Sequence, residues 1–182
     1  MVKKALQEHQ ETAQLMDGVA STIQQAGEAL VNVIRNGSKA FISGNGGSAA
    51  DAQHFAAELT GRFERERCAL PAIALTTDTS ALTAIGNDYS FNCVFSRQLE
   101  ALAVPGDVLM AISTSGHSQN VSTATVHAKA NGIMTIGLLG RDGGALGTEV
   151  VVPLIVPSSR TARIQEMYIL ILHIWCEMLD AA

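Results

Sequence analysis

Apolar and small side chains recur along the first part of the chain at alternating spacings of three and four residues. This pattern predicts a helix over residues 3–35 with one heptad-like stripe. The stripe consists of Ala13, Met16, Ala20, Ile23, Gly27, Leu30 and Ile34. Three of these residues are alanine or glycine, so a second helix could approach the stripe closely. That helix could belong to the same domain or to a neighbouring subunit, and the pattern leaves both possibilities open.

From Gly37 onwards, short apolar runs alternate with helical segments. The apolar runs predict strands at residues 39–43, 72–75, 108–113, 134–138 and 150–156. The intervening segments predict helices at residues 48–63, 80–84, 92–102, 118–131 and 161–179. Strands that alternate with helices are typical of a parallel sheet covered on both faces. We therefore expect a single doubly wound α/β domain over residues 1–182, in which residues 1–36 form a helical segment that packs in an oligomer.

Composition narrows the classes of function. Only 16% of the 182 residues are charged, against about 25% on average, which hints that an oligomer buries part of the surface. We expect neighbouring subunits to cover the stripe and the apolar face around His173. The net charge of −5 lacks the basic surface that nucleic acid requires, so we expect no nucleic-acid partner.

The same composition bears on location. No apolar run approaches the roughly 20 residues of a membrane span, and the N-terminal segment has no signal-peptide core. The three cysteines match neither a disulfide framework nor a CxxC zinc site. We expect a cytoplasmic protein without a membrane partner.

Two loops combine the features of phosphate-binding turns. The first, GNGGSAAD from Gly44 to Asp51, has glycines for a tight turn and the start of a helix whose N–H groups suit an anion. The second, STSGHS from Ser113 to Ser118, offers four hydroxyl side chains between a strand and a helix. A purely structural turn and a simple N-cap role for Ser118 are the alternatives. Together the loops favour a phosphorylated small-molecule ligand.

Polar side chains also stand on the helices. His54 and Glu58, four residues apart on one helix face, suit two ligands of one metal ion, a base with its partner, or a plain surface pair. His173 lies within the apolar run ILILHIW and is either a core histidine or a ligand. Gln165 precedes it by about 12 Å along an ideal helix. One metal ion could bridge the two only if both side chains stretched; otherwise they serve different subunits' sites, or the helix begins later.

Asn87 and Asp88 form a further polar pair between the second predicted strand and the helix at residues 92–102. Their side chains could hydrogen-bond sugar hydroxyls. They could equally form a turn, since asparagine and aspartate favour turns.

These motifs resemble the phosphoheptose isomerases, also called sedoheptulose 7-phosphate isomerases, of the sugar isomerase (SIS) family. Five strings carry the resemblance over nearly the whole chain: SGNGGSAADAQHFAAEL at 43–59, LTAIGNDYSFN at 82–92, GDVLMAISTSGHSQN at 106–120, GRDGG at 140–144 and VPSSRTARIQEMY at 156–168. The resemblance implies a three-layer, flavodoxin-like fold with a five-stranded parallel sheet, and a homotetramer with active sites between subunits. It also implies interconversion of sedoheptulose 7-phosphate and D-glycero-D-manno-heptose 7-phosphate, the first step of ADP-heptose synthesis for lipopolysaccharide.

The resemblance also assigns roles to individual positions. Substrate contacts fall on Asn45, Gly46, Gly47, Ser48, Glu58, Asn87, Asp88, Ser113, Thr114, Ser115, Ser118 and Gln165. One zinc ion per subunit is implied at His54, Glu58, Gln165 and His173. Glu58 and His173 match the family's acid–base pair. Such an isomerisation needs one group that moves a proton between carbons and another that moves a proton between oxygens, through an enediol.

The chain departs from the common family pattern at two positions and in the length of one stretch. His117 stands where asparagine is usual, Tyr168 stands where histidine is usual, and the stretch between GRDGG and VPSS is shorter than in many relatives. A related tetrameric protein that binds the replication initiator DnaA also resembles this chain, but it lacks the glutamate and the late histidine. The presence of Glu58 and His173 therefore favours the enzyme. A sensor that binds a sugar phosphate without converting it is a third possibility.

Overall fold

A computed structural model describes the whole chain from Met1 to Ala182. Its elements are α1 Val2–Leu15, α2 Ala20–Arg35, β1 Ala40–Ser43, α3 Gly47–Thr60, β2 Ala72–Ala74, α4 Thr79–Asp88, α5 Ser96–Leu102, β3 Val108–Ser113, α6 Gln119–Ala130, β4 Met134–Gly140, α7 Leu146–Glu149, β5 Val152–Val156 and α8 Thr161–Asp180. Two short 3-10 turns lie at Met16–Val19 and Phe91–Cys93. None of the helices combines the length and the apolar character needed to cross a bilayer.

The five strands form one parallel sheet in the order β2-β1-β3-β4-β5. The chain starts near the centre and winds outwards in both directions, so the order reverses between β1 and β3. In open parallel sheets, ligands bind beyond the carboxyl ends of the strands at such a reversal. The two phosphate-type loops follow β1 and β3, whose paired ends bring Ser43 opposite Ala111. The prediction of a doubly wound, five-stranded α/β fold is confirmed.

Helices cover the sheet on both faces, which explains why the strands read as continuous apolar runs. All six residues of β3 are buried. Alternate residues of β3 enter the two cores: Met110 lies in the larger core under α2, α3 and α8, and Leu109 in the smaller core under α5, α6 and α7. Helix α1 buries only Thr12 among its own residues and leaves Leu6 and Leu15 exposed.

The predicted N-terminal helix is interrupted, and its stripe faces its own domain. A 3-10 turn around Asp17 and Gly18 separates α1 from α2. In α2, the stripe from Ile23 to Ile34 is buried against α8, where the Trp175 indole N–H donates to the Ile23 carbonyl at 2.9 Å. The expectation that neighbouring subunits cover this stripe is therefore wrong.

Part of the apolar face around His173 is covered within the chain, because Leu172 and Trp175 are buried. His173 and Ile174 are half-buried and Leu170 is exposed, so coverage of this face by a neighbouring subunit stays a prediction. Packing of residues 1–36 in an oligomer stays a prediction. The surface of α1 that does not pack on its own domain is available for such a contact.

Other helix boundaries also differ from the predicted ones, and a local cap sets the start of α4. The helix predicted at 80–84 runs over the whole of α4, because the Asp78 carboxylate accepts a hydrogen bond from the Ala81 N–H and caps its start. The helix predicted at 92–102 divides into the 3-10 turn at Phe91–Cys93 and the shorter α5. Helix α7, only four residues long, shows no periodicity that sequence inspection could detect.

A larger side chain at Gly27 would test the contact between α2 and α8. A Cβ atom there would come within 2.8 Å of Trp175 Cδ1 and 2.7 Å of Met178 Cε. We expect Gly27→Leu to lower the free energy of unfolding by about 1–3 kcal/mol through overpacking. Chemical denaturation measures it, and Gly18→Ala is the control, because nothing lies within 4 Å of Gly18. Equal stability of Gly27→Leu and the wild type would contradict the tight contact.

Candidate active site

The first loop leaves backbone and hydroxyl donors free at the start of α3. Gly46 has φ +56°, a conformation that side chains other than glycine rarely adopt, and it turns the chain into the helix. The N–H groups of Gly46 and Gly47 donate to no other atom of the chain, and the Ser48 hydroxyl is also without a partner. This arrangement suits an anion at a helix N-terminus.

The second loop is shaped by its own serines. The Ser113 hydroxyl lies 3.0 Å from the Ser118 hydroxyl and accepts a hydrogen bond from the Gly116 N–H at 3.1 Å. Ser118 occupies the N-cap position of α6, yet its side chain bonds to Ser113 and does not cap the helix. The hydroxyl of Thr114 makes no hydrogen bond within the chain, so it is available to a ligand.

An asparagine pair joins the two loops. The Asn45 amide donates to Asn120 Oδ1 at 2.8 Å, and the Asn120 amide donates to Asn45 Oδ1 at 2.9 Å. Asn120, in the first turn of α6, is only 2% exposed. The pair holds the loops at a fixed spacing. Asn120 was not singled out from the sequence, where only its position two residues after Ser118 could have drawn attention to it.

The imidazoles of His54 and His173 meet between α3 and α8. Their Nε2 atoms are 2.8 Å apart, so one ring donates and the other accepts. Glu58 Oε1 lies 3.8 Å from His54 Nε2, and Phe63 packs against His173 with ring centroids 5.2 Å apart. His173 is therefore half-buried and joined to His54 by a hydrogen bond, and the pair of His54 and Glu58 faces it.

Gln165 lies at the other end of the same helix contact. Helix α8 begins at Thr161, so it contains both Gln165 and His173, and the alternative of a later helix start is excluded. The Gln165 amide packs directly on Gly47, where any side chain would overlap it. Helices α3 and α8 thus run side by side in the same direction, with Gln165 near the first loop and His173 near Glu58.

Two buried polar groups lie between these contacts: Asp51, which was missed from the sequence, and Tyr168, which was noted there only as a departure from the family pattern. Asp51 is 7% exposed and Tyr168 is fully buried; Asp51 Oδ2 and the Tyr168 hydroxyl have no hydrogen-bond partner. Burial raises the pKa of Asp51 to about 6, although the nearby His54 opposes the shift. Burial, followed by the charge of Asp51, raises the pKa of Tyr168 above its ordinary value.

Cys176 follows His173 by one turn of α8 but offers no nucleophile. Burial, followed by the negative charge of Glu58, raises the pKa of its thiol to about 12. The thiol therefore stays protonated near neutral pH, and the thiolate that nucleophilic attack needs is absent.

Asn87 and Asp88 lie apart from this cluster. Both are exposed at the end of α4, and the Asn87 amide donates to Asp88 Oδ1 at 2.9 Å. His117 faces a polar cavity of about 540 Å³ together with Arg141 and Ser158. The cavity beside the first loop is only about 140 Å³, smaller than the 300 Å³ or more of a usual ligand site. The first loop alone therefore offers less room than a usual ligand site.

The charge on Asp51 should cost stability. The native pKa of about 6 lies above the ordinary value of 3.8, so the native state binds the proton more tightly and stability falls as pH rises between these values. We expect Asp51→Asn to raise the free energy of unfolding by up to about 3 kcal/mol at pH 8 and by little at pH 4. Denaturant titrations of metal-free protein at both pH values measure this, and a gain that is equal at the two values would contradict it.

Comparison with known proteins shows the family of this chain. The SIS domain family pattern matches residues 7–140. The phosphoheptose isomerase of Campylobacter concisus is 54% identical over 182 residues, which cover 100% of this chain and 96% of the relative.

Solved structures agree with the same assignment. Phosphoheptose isomerase GmhA from Neisseria gonorrhoeae superposes with a TM-score of 0.94 at 47% identity, covering 100% of this chain and 97% of that one. A phosphoheptose isomerase from Francisella tularensis gives 0.92 at 38% identity, covering 100% and 98%. The chain therefore belongs to the SIS domain family and, within it, to the phosphoheptose isomerases.

Proposed function

We propose that this protein interconverts sedoheptulose 7-phosphate and D-glycero-D-manno-heptose 7-phosphate. The observation that carries the proposal is the meeting of Glu58 with the hydrogen-bonded His54–His173 pair, on a helix that begins in a phosphate-type loop. The full-length relatives named phosphoheptose isomerase support the same reaction.

Neutral donors would hold the phosphate of the substrate. The free N–H groups of Gly46 and Gly47 and the hydroxyls of Ser48 and Thr114 face the reversal between β1 and β3, with Ser113, Ser115 and Ser118 shaping the second loop. Such donors bind a dianion without a lysine cluster, especially beside two helix N-termini. An acidic chain can therefore accept an anionic sugar.

Glu58 and His173 would then divide the proton transfers. Glu58 would remove the proton from the carbon next to the carbonyl and return it to the neighbouring carbon. His173 would carry a proton between the two oxygens, through an enediol. The hydrogen bond between His54 and His173 fixes the orientation of the His173 ring. Gln165, packed on Gly47, lies where it could contact the chain of the sugar.

We further propose one zinc ion per subunit at His54, Glu58 and His173, which are donors that zinc prefers. The Gln165 amide of the same chain packs on Gly47 at the other end of the helix contact, so a fourth ligand from this position would come from another subunit. The present spacing of His54 and His173 does not form a finished metal centre, because the two nitrogens are 2.8 Å apart, whereas two nitrogen ligands of one tetrahedral zinc lie about 3.3 Å apart. When bound, zinc would polarise the carbonyl and stabilise the enediolate.

The small cavity beside the first loop supports a site completed by a neighbouring subunit. We propose a homotetramer with active sites at the subunit interfaces, in which the exposed Asn87 and Asp88 contact the sugar from another copy. The exposed apolar residues of α1 would help to form the contact. The protein would act in the cytoplasm, where its three free cysteines stay reduced, and would supply ADP-heptose synthesis for lipopolysaccharide.

Replacing either proposed acid–base residue should abolish turnover. We expect Glu58→Gln and His173→Ala to lower kcat for sedoheptulose 7-phosphate by at least about 100-fold, because each removes one proton-transfer step. NMR spectroscopy follows the appearance of the aldose. Glu100→Gln is the control, since Glu100 lies on α5 and pairs only with Arg97 at the surface. Conversion at wild-type rates by both variants would refute the proposed function, and so would a lack of conversion by the wild type. Tight DnaA binding by an inactive wild type would favour the role of the DnaA-binding relative.

Zinc binding can be measured separately from turnover. We expect calorimetric titration of chelator-treated protein to give one zinc ion per chain, and His54→Ala to weaken the affinity at least about tenfold through loss of one ligand. His127→Ala is the matched control, because His127 lies on α6, across the sheet from α3. Equal zinc affinities of His54→Ala and the wild type would contradict this site.

A further inference from the structure

The loop that leaves α3 is fastened to the end of α8 by an ion pair. Arg67 Nε donates to Asp180 Oδ1 at 2.8 Å, and the two side chains are 14% and 4% exposed. Asp180 Oδ2 also accepts hydrogen bonds from the backbone N–H groups of Glu64 and Arg65, both at 3.0 Å. Burial opposes ionisation of Asp180, but these three donors outweigh it and hold the pKa of the carboxyl below its ordinary value.

The other side of the same guanidinium caps α3. Arg67 donates to the Glu58 carbonyl and to the Leu59 carbonyl, both at 2.9 Å. These carbonyls belong to the last turn of α3, where no further helical N–H can reach them. A positive charge at a helix C-terminus also interacts favourably with the helix dipole. One side chain therefore contacts the backbone of the proposed base and the end of α8 at once.

Asp180 is poorly placed for the stability of α8 itself. A carboxylate at the last residue of a helix lies beside the negative end of the dipole, which is unfavourable. All hydrogen bonds of the Asp180 side chain are with the loop after α3, and these bonds explain why an aspartate lies at this position. Asp180 lies seven residues beyond His173, about 10 Å further along the helix.

We propose that Arg67 is a positioning residue for Glu58, and that the Arg67–Asp180 pair sets the spacing between Glu58 and His173. The inference rests on the proposed isomerase function. Glu58 and His54 lie on the last turns of α3, and His173 lies on α8, so the alignment of the acid–base pair depends on how these helix ends are held together. A displacement of about 1 Å in such a pair can cost about 100-fold in rate.

An arginine suits this position because its planar guanidinium donates in several directions at once. Arg67 reaches one carboxylate and three carbonyls, the third being that of Cys68. A lysine keeps the charge but has a single ammonium on a flexible stem. It cannot bridge the two helix ends in the same geometry.

The test compares Arg67→Lys, Arg67→Ala and Asp180→Asn with wild type, with rates expressed per folded chain from circular dichroism. We expect kcat for sedoheptulose 7-phosphate to fall at least about tenfold and KM to stay within about twofold, because the phosphate loops are untouched. The double variant Arg67→Ala/Asp180→Asn should be no slower than Arg67→Ala, since the two residues act as a unit. Hydrogen exchange in residues 57–68 should accelerate in Arg67→Ala.

Arg62→Ala is the matched control from the same loop. It removes an exposed arginine that pairs only with the exposed Glu66 and makes no contact with Asp180, so kcat should be unchanged. Accelerated exchange with kcat near the wild-type value would overturn the positioning role, and so would unchanged exchange in Arg67→Ala. A parallel rise of KM would place Arg67 in substrate binding and overturn it too. An inactive wild-type protein would refute the proposed function, and the positioning role with it.

Discussion

The packing of α8 along α3 is the contact on which the candidate site depends. Helix α3 starts in the first phosphate-type loop and ends at the Arg67–Asp180 pair, and α8 accompanies it in the same direction. Gln165 on Gly47 holds one end of this contact, and His54 with His173 holds the middle. The parallel sheet sets the direction of both helices, because each follows a strand of that sheet. The fold thus delivers an anion-binding end and a proton-transfer end on one pair of helices.

The polar groups along this contact change from neutral donors at the loop end to a buried acid and a half-buried acid further along α3. The loop end offers N–H and hydroxyl groups, whereas Asp51 and Glu58 follow one and three turns along α3. Asp51 has no hydrogen-bond partner for one of its oxygens, and burial raises its pKa to about 6. A buried acid of this kind weakens the native state and is retained at functional sites for reasons other than stability.

Sequence alone predicted the features that depend on local order along the chain. The apolar run of β3, the glycine and hydroxyl loops and the pairing of His54 with Glu58 all follow from spacing, and the resemblance supplied the role of His173. The sequence did not predict that the α2 stripe packs against α8, because small residues permit a close helix contact but do not specify the partner helix. Asn120 and Arg67 were missed for a common reason: their importance comes from partners 75 and 113 residues away.

The reciprocal amide bonds between Asn45 and Asn120 have an evolutionary consequence. Replacing either residue alone would leave the amide of the other unpaired in a mostly buried place, which is costly. Two loops that lie 75 residues apart are therefore constrained to change together or not at all. Among relatives of this chain, we expect Asn45 and Asn120 to be replaced together. The exposed His117 of the second loop can be replaced independently.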